Sequence, residues 1–270
     1  MTFALGPALL FCPADRPDRY AKALERADAV ILDLEDAVAP EARPAARDAL
    51  IASDLDPARV IVRVNEFGSS DWALDLAALQ QTSYRLIMVP KADASLTGQL
   101  PLGFSAVALC ESAAGVLAAP VLAASAGVVA LMWGAEDLVA SLGGTSSRFA
   151  DGRYRDVART ARSQVLLAAA AAGIAAIDTV HIDISDLDGL KAEAEDAVAS
   201  GFRATACIHP SHVEVIRTAY APTPEQVAWA TRVVEAAIHY GGVFRFEGAM
   251  VDGPLLRHAD AILQRAGVTS

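Results

Sequence analysis

Eight short apolar runs constrain this chain more than any other feature, because nearly all of them stop at an ionisable residue. They cover 8–12, 29–34, 60–65, 86–91, 106–110, 128–133, 180–184 and 204–208. Most lack the strict apolar/polar alternation of a half-exposed strand, so they read as strands buried on both faces. Helix-forming stretches separate them at 17–26, 42–52, 72–80, 115–124, 157–172 and 187–199, with a short crossing after 91. Buried strands that alternate with helices make parallel sheets, and eight such units close into a (β/α)8 TIM barrel. An open doubly wound sheet is the runner-up. No glycine-rich fingerprint follows the first run, which argues against the dinucleotide-binding version of that sheet.

The tail leaves the repeat. In Ala221-Pro222-Thr223-Pro224-Glu225, Thr223 can cap a helix whose first position is Pro224. That helix is expected to run to about 240 and to break at Gly241-Gly242. An extended or looped segment over 244–254 and a last helix over 255–266 complete the chain. Two domains are expected: a catalytic barrel, 1–222, and a C-terminal helical extension, 223–270, which covers the site or reaches a neighbouring subunit.

With 270 residues and 54% hydrophobic composition, the chain can bury a sizeable core. A net charge of -11 with no basic run makes nucleic acid an unsuitable partner. Cys12, Cys110 and Cys207 all sit in apolar runs and read as reduced, buried thiols. The Met1-Thr2-Phe3-Ala4 start lacks the positive region of a secretory signal. The uncharged stretch 112–135 is long enough to suggest a membrane span, but Pro120 and Gly127 interrupt it and acids flank it. A helix followed by a buried strand explains it better, so a cytoplasmic protein without a membrane partner is expected.

Active sites of such barrels lie at the C-terminal ends of the strands. Those ends carry Pro13 with Arg16 and Arg19, then Asp33, Glu35 and Asp36, then Arg63 and Asn65, then Lys91. Glu111, Glu136, Asp137, Asp183 and His209 complete the ring. So many charges on one rim suit an anionic ligand together with a cation. Glu111 and Asp137 end neighbouring strands, and two such carboxylates can converge on a hard cation, Mg²⁺ or Mn²⁺ rather than zinc. The alternative is that they cap strands or pair with arginines.

Several of these segments carry a family resemblance. They are Phe11-Cys12-Pro13-Ala14, the stretch 30–38 containing Asp33-Leu34-Glu35-Asp36, Arg63-Val64-Asn65, Val89-Pro90-Lys91, Glu111-Ser112, Gly134-Ala135-Glu136-Asp137-Leu138, Cys207-Ile208-His209-Pro210 and the stretch 248–254 around Asp252. In order, and over nearly the whole chain, they resemble the citrate lyase β-subunit-like proteins. Those belong with malyl-CoA and citramalyl-CoA lyases in the HpcH/HpaI aldolase superfamily. The resemblance implies a barrel, usually a homotrimer, that uses Mg²⁺ to make or break a carbon–carbon bond between a keto acid and an acyl-CoA thioester.

The resemblance also implies roles. Glu111 and Asp137 match the two metal ligands, with Glu111 also facing substrate. Arg63 matches the residue that contacts substrate and stabilises the thioester enolate; the alternative is a buried pair with Glu35 or Asp36. Glu35 and Asp36 would hold metal-bound water or orient Arg63, although Asp36 reads equally as a helix cap. Lys91 would bind a carboxylate or phosphate, or else form a structural salt bridge. Asp252, a turn residue when read alone, matches an acid/base contributed by an adjacent subunit. Asp33 and His209 read as structural, and the Gly143-Gly144-Thr145 loop as flexible. The expected activity is retro-Claisen cleavage of a 3-hydroxyacyl-CoA, with acyl-CoA and keto acid as partners. Alternatives are a malate-synthase-like or thioesterase activity, and a citrate lyase β subunit that acts only on an acyl-carrier-bound substrate in a complex.

Overall fold

The computed structural model of the chain describes residues 2–240 and 242–268. Met1 of the amino-terminal reading and Gly241 of the expected Gly241-Gly242 break lie outside them. Along the chain come β1 (Ala8–Pro13), α1 (Pro17–Arg26), β2 (Ala29–Asp33), α2 (Arg43–Ile51), β3 (Val60–Arg63), α3 (Ser70–Leu79) and β4 (Leu86–Val89). Then follow β5 (Ser105–Cys110), α4 (Ala113–Ala123), β6 (Val128–Trp133), α5 (Ala135–Ser141), α6 (Asp156–Ala172), β7 (Ala175–Asp178), α7 (Leu187–Ser200), β8 (Ala204–Cys207) and α8 (Ser211–Tyr220). The eight strands pair in sequence order, each parallel to the next, and β8 closes on β1. The expected (β/α)8 barrel is the fold.

Its interior obeys the two-residue period of a strand. Leu9, Ala29 and Ile31, Ile61, Leu86 and Met88, Val107 and Leu109, Ala130 and Met132, Ile177, and Ala204 and Ala206 form one buried cluster inside the barrel. Residues between them face the helices; hence the strands look uniformly apolar although their two faces meet different neighbours.

Local chemistry sets the helix ends. Ser69 caps α3 by accepting the Trp72 N–H at 3.1 Å, and Ser112 caps α4 by accepting the Gly115 N–H at 3.0 Å. Gly173 ends α6 in the left-handed conformation, with φ 70°. Pro120 lies within α4, three residues before its end, and does not break it. No helix among the described residues is long and apolar enough to cross a membrane.

The seventh strand requires a correction. It is Ala175–Asp178, not 180–184. The alternating Val180-His181-Ile182-Asp183-Ile184 stretch forms no strand; Asp183 instead accepts the Ser185 N–H at 2.9 Å in a turn. Gly143 and Gly144 are hydrogen-bonded back to Ala140 and Val139 at the end of α5.

The chain divides into two compact units, Met1–Ile216 and Arg217–Ser270. In the second, Thr223 and Gln226 satisfy each other's backbone N–H groups at 3.2 and 2.9 Å, a capping box at the start of α9 (Pro224–Tyr240). A hairpin of β9 (Phe244–Phe246) and β10 (Ala249–Val251) leads into α10 (Gly253–Arg265). This unit has its own apolar core of Ala230, Val233, Phe244, Val251, Ala259, Ile262 and Leu263. Asp252 caps α10 by accepting the Leu255 N–H at 3.2 Å.

Candidate active site

The same inward positions that bury aliphatic side chains along the barrel carry three ionisable residues and a glycine at its C-terminal mouth. Asp33 follows Ala29 and Ile31, Arg63 follows Ile61, Glu111 follows Val107 and Leu109, and Gly134 follows Ala130 and Met132. These four residues, with Phe11, Pro13, Asp36, Glu136, Asp137, Thr179, Val180 and Ile208 among others, line a cavity of about 390 Å³.

One group of residues at the cavity is built around a buried cation, Arg63, held by carboxylates. Asp33 and Arg63 stand opposite each other in the register of β2 and β3. The Arg63 Nε and Nη2 donate to the two carboxylate oxygens of Asp33 at 2.7 and 2.6 Å, a bidentate pair. Its Nη1 meets Glu35 at 2.9 Å and Asp36 at 3.5 Å, and its guanidinium lies 5.1 Å from the Phe11 ring centroid. Burial works against the charge, but Asp33, Glu35 and Glu111 outweigh it and raise the pKa further, so Arg63 is a fixed cation. Glu35 is buried between Arg63 and Lys91; burial raises its pKa, and those two cations offset part of the rise. Neither Glu35 nor Asp36 caps a helix: the first helical turn after β2 begins at Pro40, behind Ala39.

A second group of lining residues, Glu111 and Asp137, is anionic. Glu111 is buried, and its Oε1 accepts the Lys91 backbone N–H at 3.0 Å. Gly134 permits its approach, since a Cβ there would stand 2.8 Å from the Glu111 Cβ and 3.0 Å from its Oε2. Asp137 comes from the first turn of α5. Burial first, and then repulsion from Asp137, push the Glu111 carboxyl up to about 8. Two carboxylates that resist sharing a buried wall are what a hard divalent cation relieves. No third His, Cys, Asp or Glu completes a metal-binding group with them among the described residues. Such a set leaves positions for water and substrate, which is how Mg²⁺ is commonly held. The donors therefore fit the cation.

Other rim residues are otherwise engaged. Arg16 pairs with Asp18 at an exposed position. Asn65 is buried against Asp75. Glu136 accepts the buried Ser147 hydroxyl at 2.6 Å, and His209 is exposed beside Ser211. The Lys91 ammonium pairs with Glu35, and neither residue lines the cavity. Sequence reasoning passed over Asp33 as the partner of Arg63, although its inward parity with Ala29 and Ile31 marked it. Thr179 and Val180 were hidden by the misplaced seventh strand.

The sequence pattern of the HpcH/HpaI aldolase/citrate lyase family matches residues 8–96 and 103–210, a span that takes in all eight strands. The chain belongs to this family. It is an enzyme, and its relatives place it among the carbon–carbon lyases. It is 54% identical over 264 residues to the citrate lyase subunit beta-like protein of Mycobacterium tuberculosis, covering 98% of this chain and 97% of that one. It is 29% identical over 293 residues to the mitochondrial citramalyl-CoA lyase of Rattus norvegicus, covering 96% and 85%. Among solved structures, CitE from M. tuberculosis in complex with magnesium, acetoacetate and coenzyme A matches with a TM-score of 0.91 at 54% identity, over 98% of this chain and 99% of that one. The fold of this family member thus agrees with a relative whose crystal contains a cation, a keto acid and a CoA.

Proposed function

We propose that the chain is a Mg²⁺-dependent lyase that cleaves a 3-hydroxyacyl-CoA to a shorter acyl-CoA, acetyl-CoA or a homologue, and a keto acid. The observation that carries this reading is that a clamped guanidinium, Arg63, and a carboxylate pair, Glu111 and Asp137, line one cavity at the barrel mouth. The first suits a developing oxyanion, and the second suits the cation that chelates a keto acid. The magnesium and keto acid in the related CitE crystal support the same reading.

In the proposed reaction the substrate hydroxyl passes its proton to solvent water and becomes the carbonyl of the keto acid. The carbon–carbon bond breaks, and its electron pair passes into the thioester enolate. Arg63 stabilises the enolate oxygen; it is held in place by Asp33 and Glu35, so little reorganisation accompanies the charge. A proton then reaches the enolate carbon, which completes the acyl-CoA. Glu111 and Asp137 would hold Mg²⁺, or Mn²⁺ in its place, which supplies Lewis-acid polarisation and a template for the keto acid oxygens. Run backwards, the same groups condense an acyl-CoA with a keto acid.

The proton donor in this proposal is Asp252, carried over from the family resemblance and supplied by an adjacent subunit of a homotrimer. The test is mass spectrometry of products from malyl-, citramalyl- and 3-hydroxy-3-methylglutaryl-CoA, with and without Mg²⁺. Metal-dependent release of a shorter acyl-CoA with a keto acid is the expected result. Free CoA with the acyl part intact would replace the reading with a thioesterase. No turnover of any free thioester, with Mg²⁺ still bound, would replace it with a subunit that needs an acyl-carrier partner.

A further inference from the structure

Lys91 sits between the two sides of the site, and its backbone is unusual. Its φ is 49°, and only one other non-glycine among the described residues, Glu247, has a positive φ. An L side chain in this left-handed region is disfavoured, so the surrounding structure must hold it there. Two contacts do so. The Ala92 N–H bonds the Leu109 carbonyl at 3.0 Å, which fixes the turn to β5. The first turn of α4 presses on the same turn: a Cβ on Gly115 would stand 2.4 Å from the Ala92 carbonyl oxygen. Held in this way, the Lys91 N–H points at Glu111 Oε1. The side chain meanwhile leads to Glu35, whose carboxylate also meets Arg63.

We infer that Lys91 is a positioning residue that ties the two sides of the site together. Its backbone orients the cation-binding carboxylate Glu111, and its ammonium holds Glu35 against Arg63. This inference rests on the proposed function for its cation and its reaction. Its ammonium is committed to a protein carboxylate, so its influence on turnover passes through Arg63 rather than through direct contact with substrate.

The two halves can be separated because a glycine keeps the N–H and accepts the left-handed conformation, but has no ammonium. The experiment titrates the full-length chain with MgCl2 alone by calorimetry and measures turnover of the thioester the wild type cleaves. Variants K91G, K91N, K91A and K91V all lack the ammonium and differ in tolerance of a positive φ. The ammonium also acts on Glu111 through space, so K91G is the reference, and Mg²⁺ affinity should be nearly the same in K91N. It should fall in K91A and fall furthest in K91V, to about tenfold below K91G. Should K91V fail to fold, the contrast of K91G and K91N with K91A still reads the effect. Turnover should drop by about tenfold to a hundredfold in K91G through kcat at saturating Mg²⁺. K91R, which can again pair with Glu35, should recover most of it. Equal Mg²⁺ affinity across the series, or unchanged kcat in K91G, would overturn the inference. A wild type that binds no Mg²⁺ would instead remove the proposed function beneath it.

Discussion

The two walls of the cavity are built in opposite ways. Around Arg63 the charges are balanced by the protein itself: a bidentate partner in Asp33, a second carboxylate in Glu35 and an aromatic ring beneath. Around Glu111 the balance is only partial: burial and the nearby Asp137 outweigh a backbone N–H and the pull of Arg63. The first wall is complete before any ligand arrives. In the proposed site the second is the wall that a cation would complete, so pre-organisation and ligand affinity would reside on different parts of the barrel. The contrast teaches that catalytic geometry can be stored in ion pairs on one side, while binding energy is reserved on the other.

Removing the carboxylates tests the unfinished wall most severely. E111A and D137A should abolish both calorimetric Mg²⁺ binding and lyase turnover while the barrel remains folded by circular dichroism. Next in size, R63K should lower kcat by about a hundredfold to a thousandfold, since lysine cannot reproduce the fork that grips Asp33. Mg²⁺ affinity should hardly change in R63K; a large loss would show that the walls are not separable.

D33N leaves the buried guanidinium without its bidentate partner. It should cost about 3–5 kcal/mol in urea-unfolding stability, as removal of one member of a buried pair does. A loss below 1 kcal/mol would mean that Glu35 alone holds Arg63. G134A is a smaller change directed at the other wall. The added methyl would collide with Glu111, so Mg²⁺ affinity should fall by about tenfold while the Arg63 wall is untouched.

The mildest test uses protons. The Glu111 carboxyl is raised from its usual 4.5 to about 8 by burial and then by Asp137. Between those values the folded chain holds a proton that the unfolded chain has released, so metal-free stability should decline as pH rises through that window. Melting temperatures should show the decline in chelator. Mg²⁺ favours the ionised form and should flatten it, and E111Q should flatten it without metal. A metal-free melting curve as steep in E111Q as in wild type would assign the slope to other groups.

Much of this was legible because strand parity is a property of sequence. Counting by two from Ile31, Ile61 and Leu109 leads to Asp33, Arg63 and Glu111, and the charge at the end of most apolar runs marks the mouth. The seventh strand was misread for a physical reason. Ala175-Ala176-Ile177-Asp178 is a short run with a single strong strand former, Ile177, directly after a helix rich in alanine, whereas 180–184 alternates like a strand and is a loop. Gly173 was the signal that a new element starts immediately behind it. The pairing of Lys91 with Glu35 spans 56 residues and depends on barrel closure, so no local pattern announces it. The left-handed backbone at Lys91 was equally hidden, because lysine is not a residue that advertises it.

Parity also decides where the chain can change length. One residue inserted between Ile61 and Arg63 would turn the guanidinium from the barrel interior into the helix layer and leave a carboxylate behind without its counter-charge. The same insertion in the 66–69 turn would shift nothing that touches the cavity. Drift by addition or deletion is thus confined to the connections between elements, while the strands admit only replacement.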